Sequence, residues 1–190
     1  MTIFEEREEP ILHHDFINEQ LLDCGNMTFE NCLFDGVSFR GGSLQKAEFL
    51  NCNFFNCNFA DCDCKGIYLR ECTFEACKGD GSIWQEAVLC RVTMQNCRWE
   101  EANFNHCVWE DCVFADSRFC MAAVSGCKIK KCRFACDFTR ANFFKTPLKG
   151  VDFTRSIIDG LILSGEELKG VCVTAQQAAM LAGLFGIIVK

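Results

Sequence analysis

The sequence predicts an all-β solenoid, a chain winding in equal short steps into stacked coils, and three observations lead there. From Phe29 to Phe134 every fifth residue falls into one register without an insertion, and 20 of these 22 positions are bulky and apolar. Two residues before each of them sits a small one, with Cys, Ala, Ser or Gly in 18 of 22 places, as in Cys52-Asn53-Phe54 and Ala102-Asn103-Phe104. Neither a helix of period 3.6 nor a flat strand of period 2 keeps a five-residue repeat on one side of itself, so the chain has to turn.

The totals agree with one domain. At 190 residues the chain is long enough for a real core, its 49% hydrophobic content is ordinary, and with two prolines and no Gly/Ser-rich run it shows no linker. No window approaches the length of uncharged apolar sequence that crosses a membrane, and the acidic start, Met1 to Pro10, is unlike a signal peptide. A cytoplasmic protein without membrane contact is expected. Twelve of the 17 cysteines fall on the small position two before a centre, so they read as small buried hydrophobes carrying free thiols rather than as a disulfide framework.

The elements follow in chain order. Residues 1–26 lack the repeat and read as a lead-in that caps the first open edge, since a stack of coils ends in unpaired backbone. Residues 27–173 carry the repeat; the centre after Phe134 comes four residues later at Phe138, a register slip near residue 135, and Pro147 removes a donor nearby. Gly79-Asp80-Gly81 stays in register and reads as a tolerated defect in one coil. In residues 174–190, Thr174 is a good N-cap, Ala175 to Leu184 is rich in helix formers, and Gly186 stops the helix, leaving Ile187, Ile188 and Val189 as a short apolar strand.

The pattern small, polar, Phe/Leu, any, any over residues 27–173, as in Cys52-Asn53-Phe54-Phe55-Asn56, resembles the pentapeptide-repeat proteins. The resemblance implies a right-handed quadrilateral β-helix with four pentapeptides to a coil, here followed by a short C-terminal helix and tail. Stacked at strand spacing, roughly seven coils would make a rod ~35 Å long with a dry core. A narrower likeness lies at the ends. Thr28-Phe29-Glu30-Asn31-Cys32-Leu33-Phe34-Asp35-Gly36, Gln176-Gln177-Ala178 and Leu184-Phe185-Gly186-Ile187-Ile188-Val189 look like the Qnr-type quinolone-resistance subfamily. That subfamily implies binding to bacterial type II topoisomerases (gyrase or topoisomerase IV) by mimicry of duplex DNA, and a homodimer joined at the C-terminal end through Leu181, Phe185, Ile187, Ile188 and Val189. The loops that interrupt the repeat in many of its members are missing from residues 29–134.

Charge is the remaining functional handle. Residues 1–117 hold 8 Lys+Arg and 21 Asp+Glu, net −13, whereas residues 118–155 hold 9 and 2, net +7. Folding by 20 lines up Asp61, Asp80, Glu100 and Glu101 along one edge and Glu30, Glu71, Glu110 and Asp111 along another, with Asp35, Glu75 and Asp116 between. Such rows could face a DNA-binding cleft in place of phosphates, or simply be a solvated face. The basic collar of Lys128, Lys130, Lys131, Arg133 and Arg140 reads as solvated, and no direct nucleic-acid contact is expected. His13, His14 and His106 lie apart from any cysteine pair of zinc spacing, no phosphate loop is present, and paired carboxylates on an outer face lack a pocket to raise a pKa. The expectation is a protein with no catalytic residue, metal or cofactor: a topoisomerase-binding DNA mimic or a generic interaction module for another cytosolic partner.

Overall fold

The backbone takes its step at the residue two after each centre, which adopts a left-handed conformation: φ is +55° at Asn31, +52° at Asn51, +58° at Asp61 and +65° at Gly36. Gly, Asn and Asp reach this region at least cost, but Glu71, Ala76, Arg91 and Lys131 are held there too, so the stack imposes the corner on whatever residue occupies it. The computed structural model describes residues 9–189.

Two of the four faces are parallel sheets of seven strands each. Sheet A runs through Ile11–Leu12, Thr28–Glu30, Glu48–Leu50, Tyr68–Arg70, Val88–Cys90, Val108–Glu110 and Lys128–Lys130. Sheet B runs through Asp15–Ile17, Leu33–Asp35, Asn53–Phe55, Thr73–Glu75, Thr93–Gln95, Val113–Arg118 and Arg133–Asp137. The other two faces are ladders of single bridges, Ser38 to Asn58, Lys78, Arg98 and Arg118 on one and Ser43 to Asp63, Ile83, Asn103 and Ala123 on the other. Each step adds 20 residues, so Phe29 pairs with Phe49 and Phe34 with Phe54. Along each column the rings stack, at 4.8 Å for Phe29–Phe49 and 4.4 Å for Phe54–Phe74, and neighbouring faces meet edge-on, as Phe29 meets Phe34.

The cysteines explain themselves in this setting. The thiols of Cys52, Cys57, Cys72, Cys77, Cys97, Cys107, Cys112, Cys127 and Cys132 each point at the carbonyl 23 residues earlier, one coil back. A thiol is small enough for the inward corner and is a weak donor for a carbonyl's second lone pair. Ser82, Ser117, Thr146 and Ser156, buried polar residues in the same slot, also hydrogen-bond to the backbone or a neighbour; the Ser117 hydroxyl donates to Ala115 O and accepts from Cys97 N.

Three expectations change. The first eight residues of the expected lead-in lie outside the described residues, and residues 11–24 are themselves a coil: Ile11 pairs with Phe29, Phe16 with Phe34, and bridges join Gln20 to Ser38 and Asp23 to Ser43. Ile11, Phe16 and Leu21 are five apart, but a corner two residues short separates them from the main register, and Glu9, His14 and Glu19 break the rule of small residues before each centre. Nor is Gly79 a void. Trp99, one coil on, fills its place so closely that a Cβ at Gly79 would stand 2.1 Å from Trp99 Cζ3. Finally, Ile187 to Val189 form no strand, because the last sheet strand ends at Asp137 and the last bridge at Cys172, before the helix that precedes them.

The end of the sheets has local causes. Pairing of Val113–Arg118 with Arg133–Asp137 shifts from Ala115↔Ala135 to Arg118↔Asp137, shortening the coil by one residue. On sheet A, Lys128 N donates to Cys107 O, and the equivalent position of the next coil is Pro147, which has no N–H to give. The stack is closed by helix α1 (Ala175–Leu184), which opens on a capping box between Thr174 and Gln177. Its end is a Schellman turn, with Gly186 at φ +74° and Ile187 N bonded to Ala182 O.

Candidate functional site

A filled core sends inward the centre and the residue two before it, so the surface is written by the remaining three residues of each pentapeptide. The predicted acidic residues all lie there. Asp61, Asp80, Glu100 and Glu101 share the edge between the third and fourth faces, with Asp61 and Glu101 at left-handed corners. Glu71, Glu110 and Asp111 share the edge between the sheets, and Asp116 lies at the far corner of sheet B.

The sequence reading missed what stands between them. Arg40 pairs with Asp61 at 3.8 Å, Arg98 with Asp80 at 2.5 Å and Arg118 with Glu100 at 2.9 Å. On the other edge Arg91 pairs with Glu71 at 2.8 Å, Lys130 with Glu110 at 2.5 Å and Lys131 with Asp111 at 3.9 Å. Six of the eight residues are thus matched by a cation from an adjacent coil. The hydrogen bond from Lys130 holds the Glu110 carboxyl below its ordinary range, and Asp80 pushes the Arg98 guanidinium up. Exposed pairs of this kind add little to stability, but they cut the field a partner feels. The signal was present in sequence: Lys78, Arg98 and Arg118 are spaced by 20 and run beside the acidic column.

Sheet B is different. Asp15, Asp35, Glu75 and Asp116 lie along its outer surface, and from Asp15 to Asp116 that surface carries no Lys or Arg, only residues such as Asn53, Thr73, Thr93 and Val113. Among the described residues its carboxylates have neutral partners at most: Asn56 Nδ2 donates to Asp35 at 3.3 Å and Gln95 Nε2 to Asp116 at 2.6 Å.

At the C-terminal end, Leu181 is buried against its own chain, 6% exposed, while Phe185, Ile187, Ile188 and Val189 are open, Ile188 at 83%. Leu181 therefore packs as part of the cap within its own chain. Among the described residues no His, Cys, Asp or Glu cluster is arranged to hold a metal ion, and no helix is long and apolar enough to cross a membrane.

Stacked coils of five-residue steps with a sealed core define a class, the pentapeptide-repeat solenoid. A family model described as pentapeptide repeats, in 8 copies, matches residues 32–63; it describes a repeat and not a catalytic family. Comparison with curated proteins gave no match. Among solved structures, HetL from the cyanobacterium Nostoc sp. strain PCC 7120, a pentapeptide repeat protein involved in heterocyst differentiation regulation, shares the fold. The two are 15% identical, covering 88% of this chain and 91% of that one, with a TM-score of 0.50. A trypsin-treated form of QnrB1, a plasmid-mediated fluoroquinolone resistance protein, is 17% identical over 96% of this chain and 100% of that one, with a TM-score of 0.44.

Proposed function

We propose that this chain is a non-enzymatic protein that binds a bacterial type II topoisomerase, gyrase or topoisomerase IV, by presenting carboxylates where the enzyme expects duplex phosphates, modulating it or protecting it from quinolones. The observation that carries the reading is the outer surface of sheet B, an acidic strip free of cations running over the coils from Asp15 to Asp116. A cleft lined by Lys and Arg attracts such a strip as it attracts a phosphate backbone. The edges holding Asp61, Asp80, Glu100, Glu101, Glu71, Glu110 and Asp111 contribute less, because their own cations already engage most of them. The protein acts as a homodimer joined by Phe185 and Ile187 to Val189, which places the acidic arms outward and the basic coils near the two-fold axis, in a shape suited to a symmetric cleft.

Supercoiling by purified gyrase, with and without a fluoroquinolone, tests this. The protein is expected to slow supercoiling at low salt or to restore it in the presence of drug. Indifference of the enzyme in both arms would leave a scaffold for some other cytosolic partner.

A further inference from the structure

The coils loosen where sheet B ends. Up the column of rings on that face the centroid spacing is 4.8 Å for Phe34–Phe54 and 4.4 Å for Phe54–Phe74, but 5.7 Å for Phe114–Phe134 and 6.0 Å for Phe134–Phe153. The strand Arg133–Asp137 is the last of its sheet, and no backbone hydrogen bond joins Cys132–Ala135 to Val151–Arg155. The single residue dropped here shortens one coil at this corner, and beyond it the strands of sheet B do not continue. The gap opens to solvent as a cavity of about 270 Å³. The outward Val113, Ala115 and Ala135 give it an apolar floor, and Arg133 and Arg155 line it too.

Arg40, Arg91, Arg98 and Arg118 each hold a carboxylate from an adjacent coil, whereas Arg133 and Arg155, like Arg70 and Arg140 elsewhere on the rod, have no ion pair among the described residues; of these four, only Arg133 and Arg155 share a cavity rim. The two carboxylates on the same rim are already engaged, Asp116 by Gln95 Nε2 at 2.6 Å and Asp152 by Thr154 N at 2.8 Å.

We propose that this cleft is a binding site for a small carboxylate with a flat apolar body. The carboxylate bridges Arg133 and Arg155, because a guanidinium is a planar double donor matched to two carboxylate oxygens and binds more strongly beside an apolar wall. The body lies on the outward side chains of Val113, Ala115 and Ala135, and the edge of strand Arg133–Asp137 that faces the next coil remains for a further polar group. The volume lies just below the range of ligand pockets, about 300 to 1,000 Å³, and suits a single ring better than a nucleotide. A free aromatic acid and the carboxyl end of a peptide finishing in an aromatic residue share this chemistry. The cleft adjoins the far end of the acidic strip, since Asp116 stands on both, but small acids titrated against the full chain read it without any topoisomerase.

The full chain is titrated with benzoate, with the uncharged isostere benzamide, and with N-acetylglycyl-phenylalanine, following the side-chain N–H signals of Arg133 and Arg155 by NMR. At least one acid should shift both signals while benzamide shifts neither, and the acid that binds more tightly identifies the source. Arg133→Met and Arg155→Met keep the apolar stem of an exposed side chain, so the melting temperature should hold while affinity falls about tenfold in each. Arg70→Met, on sheet A, should bind like the parent. The proposal is overturned if neither acid moves the signals at about 10 mM, if benzamide matches the acids, or if both methionine variants bind unchanged.

Discussion

Gly79 and Cys64 stand at inward positions where most coils carry Phe, Leu or Trp, and each lies one coil before a tryptophan of its own column, Trp99 and Trp84. Volume in the column is thus kept in sum, with a small residue and a large one in successive coils. Gly79→Ala places a methyl 2.1 Å from Trp99 Cζ3 in a packed core and should cost about 3 kcal/mol, read by chemical denaturation. Trp99→Phe makes room, so the double variant should be more stable than the sum of the single losses predicts; additivity would show that the two do not share space. The thiols carry a second prediction. Burial pushes Cys136 up to about 12, and Cys24 likewise, so at pH 8 almost none of either is thiolate. Titration of the native protein with a thiol reagent should label Cys172 fast and Cys90, Cys120 and Cys132 slowly, leaving the 13 buried cysteines until the chain unfolds. The inward pattern was legible because it repeats. The pairing of Gly79 with Trp99 was not, because it needs the vertical neighbour and not the sequential one.

The elements at the two ends were the hardest to read. The first coil hides behind a corner two residues short, so its period of five is real but out of phase with the rest. At the other end the fold depends on two polar residues that hydrophobic periodicity ignores. Glu167 is buried and accepts from Lys145 N at 2.7 Å, Ser164 N at 2.9 Å and Gly165 N at 2.9 Å. Gln177 donates to Phe153 O and Ser156 O at 2.8 Å each, docking α1 on the last coil. Both are spelled in sequence as Ser164-x-x-Glu167 and Thr174-x-x-Gln177, the pattern of a helix start. Burial alone would raise the Glu167 carboxyl, but the N–H groups around it win and hold it below its ordinary value of 4.5. Its folded value being the lower one, the stability it supplies is complete above pH 4.5 and is lost as pH falls through the folded value. Glu167→Gln should cost about 1–3 kcal/mol at neutral pH, and the gap from the parent should close on acidification. A gap that stays constant with pH would remove the carboxylate from this account.

At the scale of the whole molecule, distance along the sequence becomes distance along the rod, so net charge by segment was readable early, and the cation column of Lys78, Arg98 and Arg118 was readable too, but which carboxylate each cation reaches was not. Columns of carboxylates can be counted from a repeat of 20, but whether a cation stands beside each depends on side chains one coil away, as Arg91 reaches Glu71. Ile188→Asp combined with Val189→Asp, beyond the turn that ends α1, should turn a dimer into a monomer in sedimentation while leaving the melting temperature close to the parent's; a variant that remains dimeric would place the interface elsewhere. The central claim is that the cation-free acidic strip of sheet B takes the place of DNA. The direct measurement is displacement of a labelled duplex from gyrase by the full chain, with Asp35→Asn, Glu75→Gln and Asp116→Asn combined on that strip against Asp61→Asn, Asp80→Asn, Glu100→Gln and Glu101→Gln on the ion-paired edge. The account predicts displacement that weakens steeply with salt, since exposed charges are screened over about 8 Å at physiological ionic strength, and a loss larger for the three changes on the strip than for the four on the edge. Equal displacement by the parent and both variants, or displacement indifferent to salt, would contradict it.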